Sequence, residues 1–299
     1  MNSTDLAFFS AVAGAGGMGR AASALNTVQS NVTAHIRALE TELGAPLFHR
    51  SKKGVTLTAA GERLLPYARQ VAQLLREAQA VVSDDSVPAG TLRIGSLETT
   101  AAIRLPALLG RYAAAYPEVS LSIETGPTQA LVEAVLERRL DGAFVTGPIA
   151  HADLEAVPVI KERLVLVTPP AVRTPDDLSA YLARPCGAKI IVFRAGCSYR
   201  QRMEEVLAQR GIVDVRLMEL GTLDGILGCV GANVGITLLP WATVAVAAES
   251  GRIAIHELEP AMGSATTLFI HRRDAFLSCA MRRLKEEAVA MFGSGAPAA

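Results

Sequence analysis

Within GRAASALNTVQSNVTAHIRALETELG, residues 19–44, amide, hydroxyl and guanidinium groups fall at Gln29, Ser30, Thr33 and Arg37. On a helix at 100° per residue, Gln29, Thr33 and Arg37 form one stripe with Ser30 beside it. Val32, Ile36, Leu39 and Leu43 fall within about 60° of one another on an apolar stripe that must be buried. Polar tips on the N-terminal half of a helix can reach base edges in a major groove: Gln pairs with adenine, and Ser or Thr with either base type. The alternative is a solvated helix start in a bundle. Two neighbouring segments favour the groove. GRAASAL offers Ala21, Ala22 and Leu25 for close packing across a tight polar turn, the helix-turn-helix arrangement. PLFHRSKKGVTLT crowds Arg50, Lys52 and Lys53 onto a loop that reads as a two-stranded wing, where cations suit phosphates. Residues 1–58 hold five basic side chains (Arg20, Arg37, Arg50, Lys52, Lys53) against three acidic ones (Asp5, Glu40, Glu42), a net of +2. That predicts modest binding to double-stranded DNA per subunit and a gain from pairing.

A second set of groups sits at strand-to-helix turns. RIGSLETTAAIRL supplies Ser96, Glu98, Thr99 and Thr100, ETGPTQALV supplies Thr128, and AFVTGP supplies Thr146. VFRAGCSYRQR adds Cys197 and Ser198, and ELGTLDGIL adds Thr222. Hydroxyls and free N–H groups at helix N-termini make a cleft friendly to anions. Glu98 would repel an acid and suit an amine, so an amino acid or a polyamine-type ligand could satisfy both. Taken singly, each hydroxyl reads equally as a helix cap; convergence on one cleft is what points to a small-molecule effector. A thiol at a helix N-terminus such as Cys197 can be reactive. A redox switch would need a resolving partner, and none follows through Gly211; Cys186 and Cys229 are the nearest in sequence. As enzyme nucleophiles Cys197 and Ser198 lack a local His or acidic activator, and no G-x-S-x-G elbow occurs, so no catalysis is expected. His35, His49, His151, His256 and His271 show no metal-ligand spacing and the cysteines form no C-x-x-C pair, so neither metal nor cofactor is expected.

The elements that position these groups follow from periodicity. A 299-residue chain, half hydrophobic, suits two or three domains. Residues 1–58 read as helices ending in the wing. Over 59–88, capped by Thr58 and interrupted near its start by Pro66, Leu64, Ala68, Val71, Leu75, Ala78 and Val82 recur at 4-3-4-3-4 spacing, a heptad seam. The seam could pack on the chain's own downstream domain; pairing with a second copy is preferred. SDDSVPAG, residues 83–90, is a polar break. Beyond it TLRIG, VSLSIET, GAFVTG, LVLVT, KIIVF, VRLMEL, GITLL, IAIHEL and TLFIH read as strands alternating with helices over 89–293, an α/β pattern. Residues 294–299 read as a flexible tail. No long apolar run suggests a membrane span, and the start MNSTDLAFFSAVAGAGG lacks a basic region ahead of its apolar part, so a helix and reduced thiols in a cytoplasm are expected. The net charge of zero leaves any nucleic-acid site to a local patch.

Residues 8–65 carry R-A-A-x-x-L, Gln29 with its hydroxyl neighbours, I-R-x-L-E-x-E-L-G, L-F-x-R and L-T-x-A-G. This stretch resembles the winged helix-turn-helix of LysR-type transcriptional regulators. The likeness implies base-facing Gln29, Ser30 and Thr33, a wing of Arg50, Lys52 and Lys53, a two-lobed effector domain like a periplasmic solute-binding protein, and a homodimer or homotetramer. GSLETTAAIRLP and FRAGCSYRQR are similar to a branch of putrescine-utilisation regulators. Cys197 resembles in position the reactive cysteine of the family's hydrogen-peroxide sensors. Two departures stand out: Val28-Gln29-Ser30 replaces the frequent Ser-Gln-Pro, leaving Asn26 or Thr27 to cap the helix, and Ala34 stands where Arg or another polar residue is frequent.

Overall fold

The computed structural model describes residues 1–51, 54–83, 87–183, 188–193, 198–212 and 215–293, with only the backbone given at Ala80, Ser83, Ala188 and Ser198. They divide into two units, Met1–Asp85 with Glu137–Arg139, and Ser86–Leu136 with Leu140–Ala299. The expected tail 294–299 lies outside the described residues.

The first unit runs α1 (Ser3–Ala15), α2 (Met18–Ala24), α3 (Gln29–Leu43), β1 (Phe48–Ser51), β2 (Gly54–Leu57) and α4 (Ala59–Ser83). Phe9, Val12, Ala21, Val32, Ile36, Leu39 and Ala68 are fully buried together, so the apolar stripe of α3 is the floor of this core. Leu43 departs from that stripe and is exposed. Gly44 ends α3 in the left-handed conformation at φ 65, the chain reverses, and Leu47 fills the core instead. The cap of α3 is also not the expected one. Asn26 is spent on the turn at φ 50, and Thr27 Oγ1 accepts from Asn31 Nδ2 at 3.1 Å. Val28 occupies the cap position with extended backbone and no side-chain bond.

The wing pairs antiparallel from Phe48↔Leu57 to Ser51↔Gly54. Thr58 then caps α4, accepting from the Gly61 N–H at 3.1 Å and donating to Pro46 O at 2.7 Å. Gly61 is required by close approach: a Cβ there would lie 2.3 Å from Leu47 O. The heptad seam of α4 splits in two. Leu64, Ala68 and Val71 pack into the unit's own core. Leu75, Ala78 and Val82 remain exposed, and Tyr67, Leu74 and Val81 add to the uncovered side at seven-residue intervals. The expected continuous zipper is therefore half its length, because the N-terminal turns of α4 are the lid of the helix-turn-helix core.

The second unit contains β3 (Gly90–Ser96), α5 (Glu98–Ile103), α6 (Leu105–Ala115), β4 (Val119–Thr125), α7 (Thr128–Leu136), β5 (Gly142–Thr146), β6 (Leu154–Thr168) and α8 (Pro175–Leu182). It continues with β7 (Ala188–Val192), α9 (Ser198–Ala208), β8 (Val215–Glu219), α10 (Leu223–Gly231), β9 (Thr237–Pro240), α11 (Trp241–Glu249), β10 (Ala254–Glu257), β11 (Ser264–Arg272) and α12 (Cys279–Phe292). The main sheet has the order β10-β6-β11-β5-β3-β4, with β9 also on β6, while β7 pairs β8 in parallel and a bridge joins Ile190 to Ile236 just before β9. Two lobes result. Lobe I gathers Leu92, Ile94, Leu108, Tyr112, Phe144 and Phe269. Lobe II is built around Leu164–Val167, whose side chains alternate between two clusters, Leu164 and Leu166 with Ile190 and Met203, Val165 and Val167 with Ile191 and Ile226.

Strand β6 threads both lobes and is longer than the LVLVT run that announces it. Its first part, residues 154–163, contains Pro158, which has no N–H to give to a ladder. The structure accommodates it at an irregularity: Thr267 pairs with Ile160 and Leu268 with Pro158, so Val159 is the extra residue of a bulge. Where the strand passes between lobes, Glu162 is buried and meets Arg104 Nη2 at 3.1 Å.

Candidate functional site

On α3 the buried underside of Val32, Ile36 and Leu39 forces the opposite face outward. Gln29, Ser30 and Arg37 are exposed. Thr33 is half-buried and its Oγ1 donates to Gln29 O at 2.9 Å. Gln29 leans on the preceding helix, its Oε1 lying 3.4 Å from where a Cβ of Gly19 would be. Val28, ahead of it, is 64% exposed and was not anticipated as part of this face. The three acids of residues 1–58 are turned to internal partners. Asp5 Oδ1 is 2.8 Å from His35 Nδ1, beneath a stacked Phe8 ring. Glu40 Oε1 accepts the N–H of Leu47 at 2.8 Å and of Phe48 at 3.3 Å, and its Oε2 meets Arg50 Nη2 at 3.3 Å. Glu42 meets the N-terminal ammonium. His35 is thus a packing residue, while His49 is exposed on the wing. Lys52 and Lys53 lie outside the described residues.

In the second unit a cavity of about 340 Å³ opens between the lobes. Lobe I supplies Leu97, Glu98 and Thr99 from the β3–α5 turn and Thr125, Gly126 and Pro127 from the end of β4; lobe II supplies Phe193, Tyr199 and Gly221. The location follows the rule that ligands sit beyond the carboxyl ends of strands. Leu97, Thr99, Phe193 and Tyr199 are buried, Glu98 is half-buried, and Thr125 and Gly221 are exposed. Thr125 Oγ1 donates to Glu98 Oε1 at 2.9 Å.

Of the described hydroxyls expected to converge, Thr99 alone joins Glu98 in lining this cavity. Ser96 is buried and donates to Leu97 O at 3.1 Å, and Thr100 is buried. Thr128 Oγ1 accepts the Thr146 N–H at 3.3 Å, while the buried Thr146 Oγ1 has no partner among the described residues. Thr222 caps α10, accepting from Gly225 N–H at 3.3 Å. Cys197 lies outside the described residues, and only the backbone of Ser198 is described, at the start of α9. Trp241 packs in lobe II with the Arg163 guanidinium 4.7 Å over its ring. Thr125, Phe193 and Tyr199 were missed as lining residues; the signal available was position, since Thr125 ends one strand and Phe193 directly follows another. Among the described residues no group of His, Cys, Asp and Glu is placed to hold a metal, and no helix is long and apolar enough to cross a membrane.

Comparison with known proteins adds identity to this geometry. Residues 3–62 match the family described as bacterial regulatory helix-turn-helix protein, lysR family, and residues 85–293 match the LysR substrate binding domain. The HTH-type transcriptional regulator GltR of Bacillus subtilis (strain 168) is 40% identical over 284 residues, covering 94% of this chain and 94% of the relative. A full-length OxyR variant from Pseudomonas aeruginosa superposes with a TM-score of 0.71 at 22% identity, over 97% of this chain and 94% of that one. CbnR, solved with its target DNA, gives 0.64 at 23% identity, over 96% and 99%. The last two likenesses carry the fold.

Proposed function

The chain belongs to the LysR family of transcriptional regulators, and from that premise we propose how it reads DNA and where its effector sits. It is a DNA-binding regulator with an effector-binding domain, not an enzyme. Gln29, Ser30, Thr33 and Arg37 face base edges and backbone in a major groove, with Val28 placed to meet a thymine methyl. Arg50, Lys52 and Lys53 of the wing neutralise phosphates. The uncovered half of α4 joins two copies, as a homodimer or within a homotetramer, and the protein works in the cytoplasm. The effector is a small molecule taken between the lobes, and its differential affinity for two lobe arrangements changes the spacing of paired reading helices. The narrower likeness to putrescine-utilisation regulators has no counterpart among the relatives named above. Cys197, on which the redox reading rests, lies outside the described residues.

The observation that carries the DNA reading is the exposed stripe Gln29–Arg37 standing over a fully buried underside. Gel shifts on the DNA upstream of the chain's own gene test it. One preferred site with steep salt dependence is expected, and Gln29→Ala should weaken that site about tenfold while relaxing preference at one adenine. Binding with equal affinity at all sequences would end this reading.

A further inference from the structure

We propose that the interlobe cavity takes an organic cation, a primary amine or guanidine on an apolar body, with its charge on Glu98 and its body against Phe193 and Tyr199. The inference rests on the reading of this cavity as the effector site and names the chemistry it selects.

Glu98 is the one charged side chain among the described residues lining the cavity. One of its oxygens accepts the Thr125 hydroxyl at 2.9 Å, which fixes the carboxylate against lobe I. Its other oxygen, Oε2, has no partner among the described residues, and no ion pair involves Glu98 there. A half-buried carboxylate with no counter-charge among the described lining residues is stabilised most by a cation that brings its own hydrogen-bond donors. The rest of the lining agrees. Phe193 and Tyr199, both buried, line the lobe II side, and aromatic rings attract ammonium and guanidinium groups and their alkyl stems.

Among the described residues lining the cavity, no Lys, Arg or His stands to answer a carboxylate ligand. Thr222 is spent on capping α10, and Thr128 receives a backbone N–H. A zwitterion would set its acid against Glu98 with little to answer it. Because Glu98 belongs to lobe I and the two rings to lobe II, a cation bound this way touches both lobes at once. Recognition of the ligand's charge and contact with both lobes are thereby coupled.

Matched probes test this on the full chain by calorimetry and thermal shift: phenethylamine and agmatine as cations, phenylacetate as the isosteric acid, and 2-phenylethanol as the neutral form. At least one cation should bind saturably, with phenylacetate at least tenfold weaker than phenethylamine. Glu98→Gln should weaken the cation about tenfold or more and leave 2-phenylethanol within twofold, the size expected for losing a charge-assisted contact. Thr125→Val should give a smaller loss in the same direction. Phenylacetate binding as tightly as the amine, no response to either cation, or a cation affinity indifferent to Glu98→Gln would each overturn the assignment. Gly221→Trp, which fills the mouth, separates the two levels of the claim. If an acid or neutral probe binds and Gly221→Trp abolishes it, the cavity stands and only the cation falls. If cation binding survives Gly221→Trp, the cavity itself is wrong. An unchanged melting temperature of Glu98→Gln without probe excludes a basic side chain of the chain as its resident partner; a drop of several degrees with no amine response would replace the proposal by that pairing.

Discussion

Gln29 opens α3 and Thr222 caps α10, so both stand at a helix start, yet they meet opposite ends. Gln29 is exposed, its amide resting beside Gly19 of the preceding helix, whereas the Thr222 hydroxyl is taken up by the Gly225 N–H. The difference is one of reach. Short hydroxyl side chains compete for the nearest unpaired backbone groups and are consumed there. A longer side chain on a helix whose underside is buried has nothing local to bond and remains available to a partner. The same contrast separates Ser96, bonded to its neighbour's carbonyl, from Glu98, whose extra length carries it into the cavity.

If polar groups committed to the fold differ in kind from those left for partners, substitution should sort them by what is lost. The largest effect is expected at Arg104, which answers the buried Glu162. Arg104→Ala leaves that carboxylate alone in the interior, and denaturant unfolding should register a loss of about 3 kcal/mol. A loss below ~1 kcal/mol would mean that water already reaches Glu162. Next comes Thr222→Ala, expected to lower stability by about 1 kcal/mol as a lost cap while leaving probe affinities unchanged. A change in affinity without a change in stability would move Thr222 to the partner-facing group.

The smallest effect concerns pH. Burial holds the His256 imidazole below its ordinary pKa, against the opposing bond from its Nε2 to Val172 O at 3.0 Å. The unfolded chain therefore binds this proton more readily than the folded one. The contribution is fully present above the ordinary histidine value of about 6.5 and is lost as pH falls through the lower folded value. Melting temperature followed downward from neutrality should decline less steeply in His256→Gln than in the parent. Parallel profiles would show that His256 does not titrate differently on folding.

Much of the architecture is legible in the residues themselves. The polar tips and apolar underside of α3, the wing around Arg50, and the strands from TLRIG to TLFIH follow from periods of 3.6 and 2. What escapes is decided by distant partners. Leu43 continues a flawless stripe, but the chain turns back and Leu47 takes the space. The seam of α4 is regular in sequence, yet its first half is claimed by the core beneath α1. Residues 154–163 hide as a strand because Pro158 interrupts the pattern, and only the bulge opposite Leu268 makes room for it. The cavity is least legible, since whether a hydroxyl caps, packs or faces a ligand depends on which backbone group lies within reach.

Strands β6 and β11 impose an order on synthesis. Lobe I begins at Gly90, but its core is closed by Phe269, Met281 and Leu284 from the last part of the chain. The segments that make lobe II, from Leu164 through Ala265, lie wholly inside that interval. As the chain leaves the ribosome, lobe II can be formed but for Ala265 while lobe I still lacks its central strand and covering helix. A nascent or prematurely terminated chain thus exposes the older lobe rather than the younger one, and losing residues 264–299, which carry β11 and α12, damages chiefly the half that was made first.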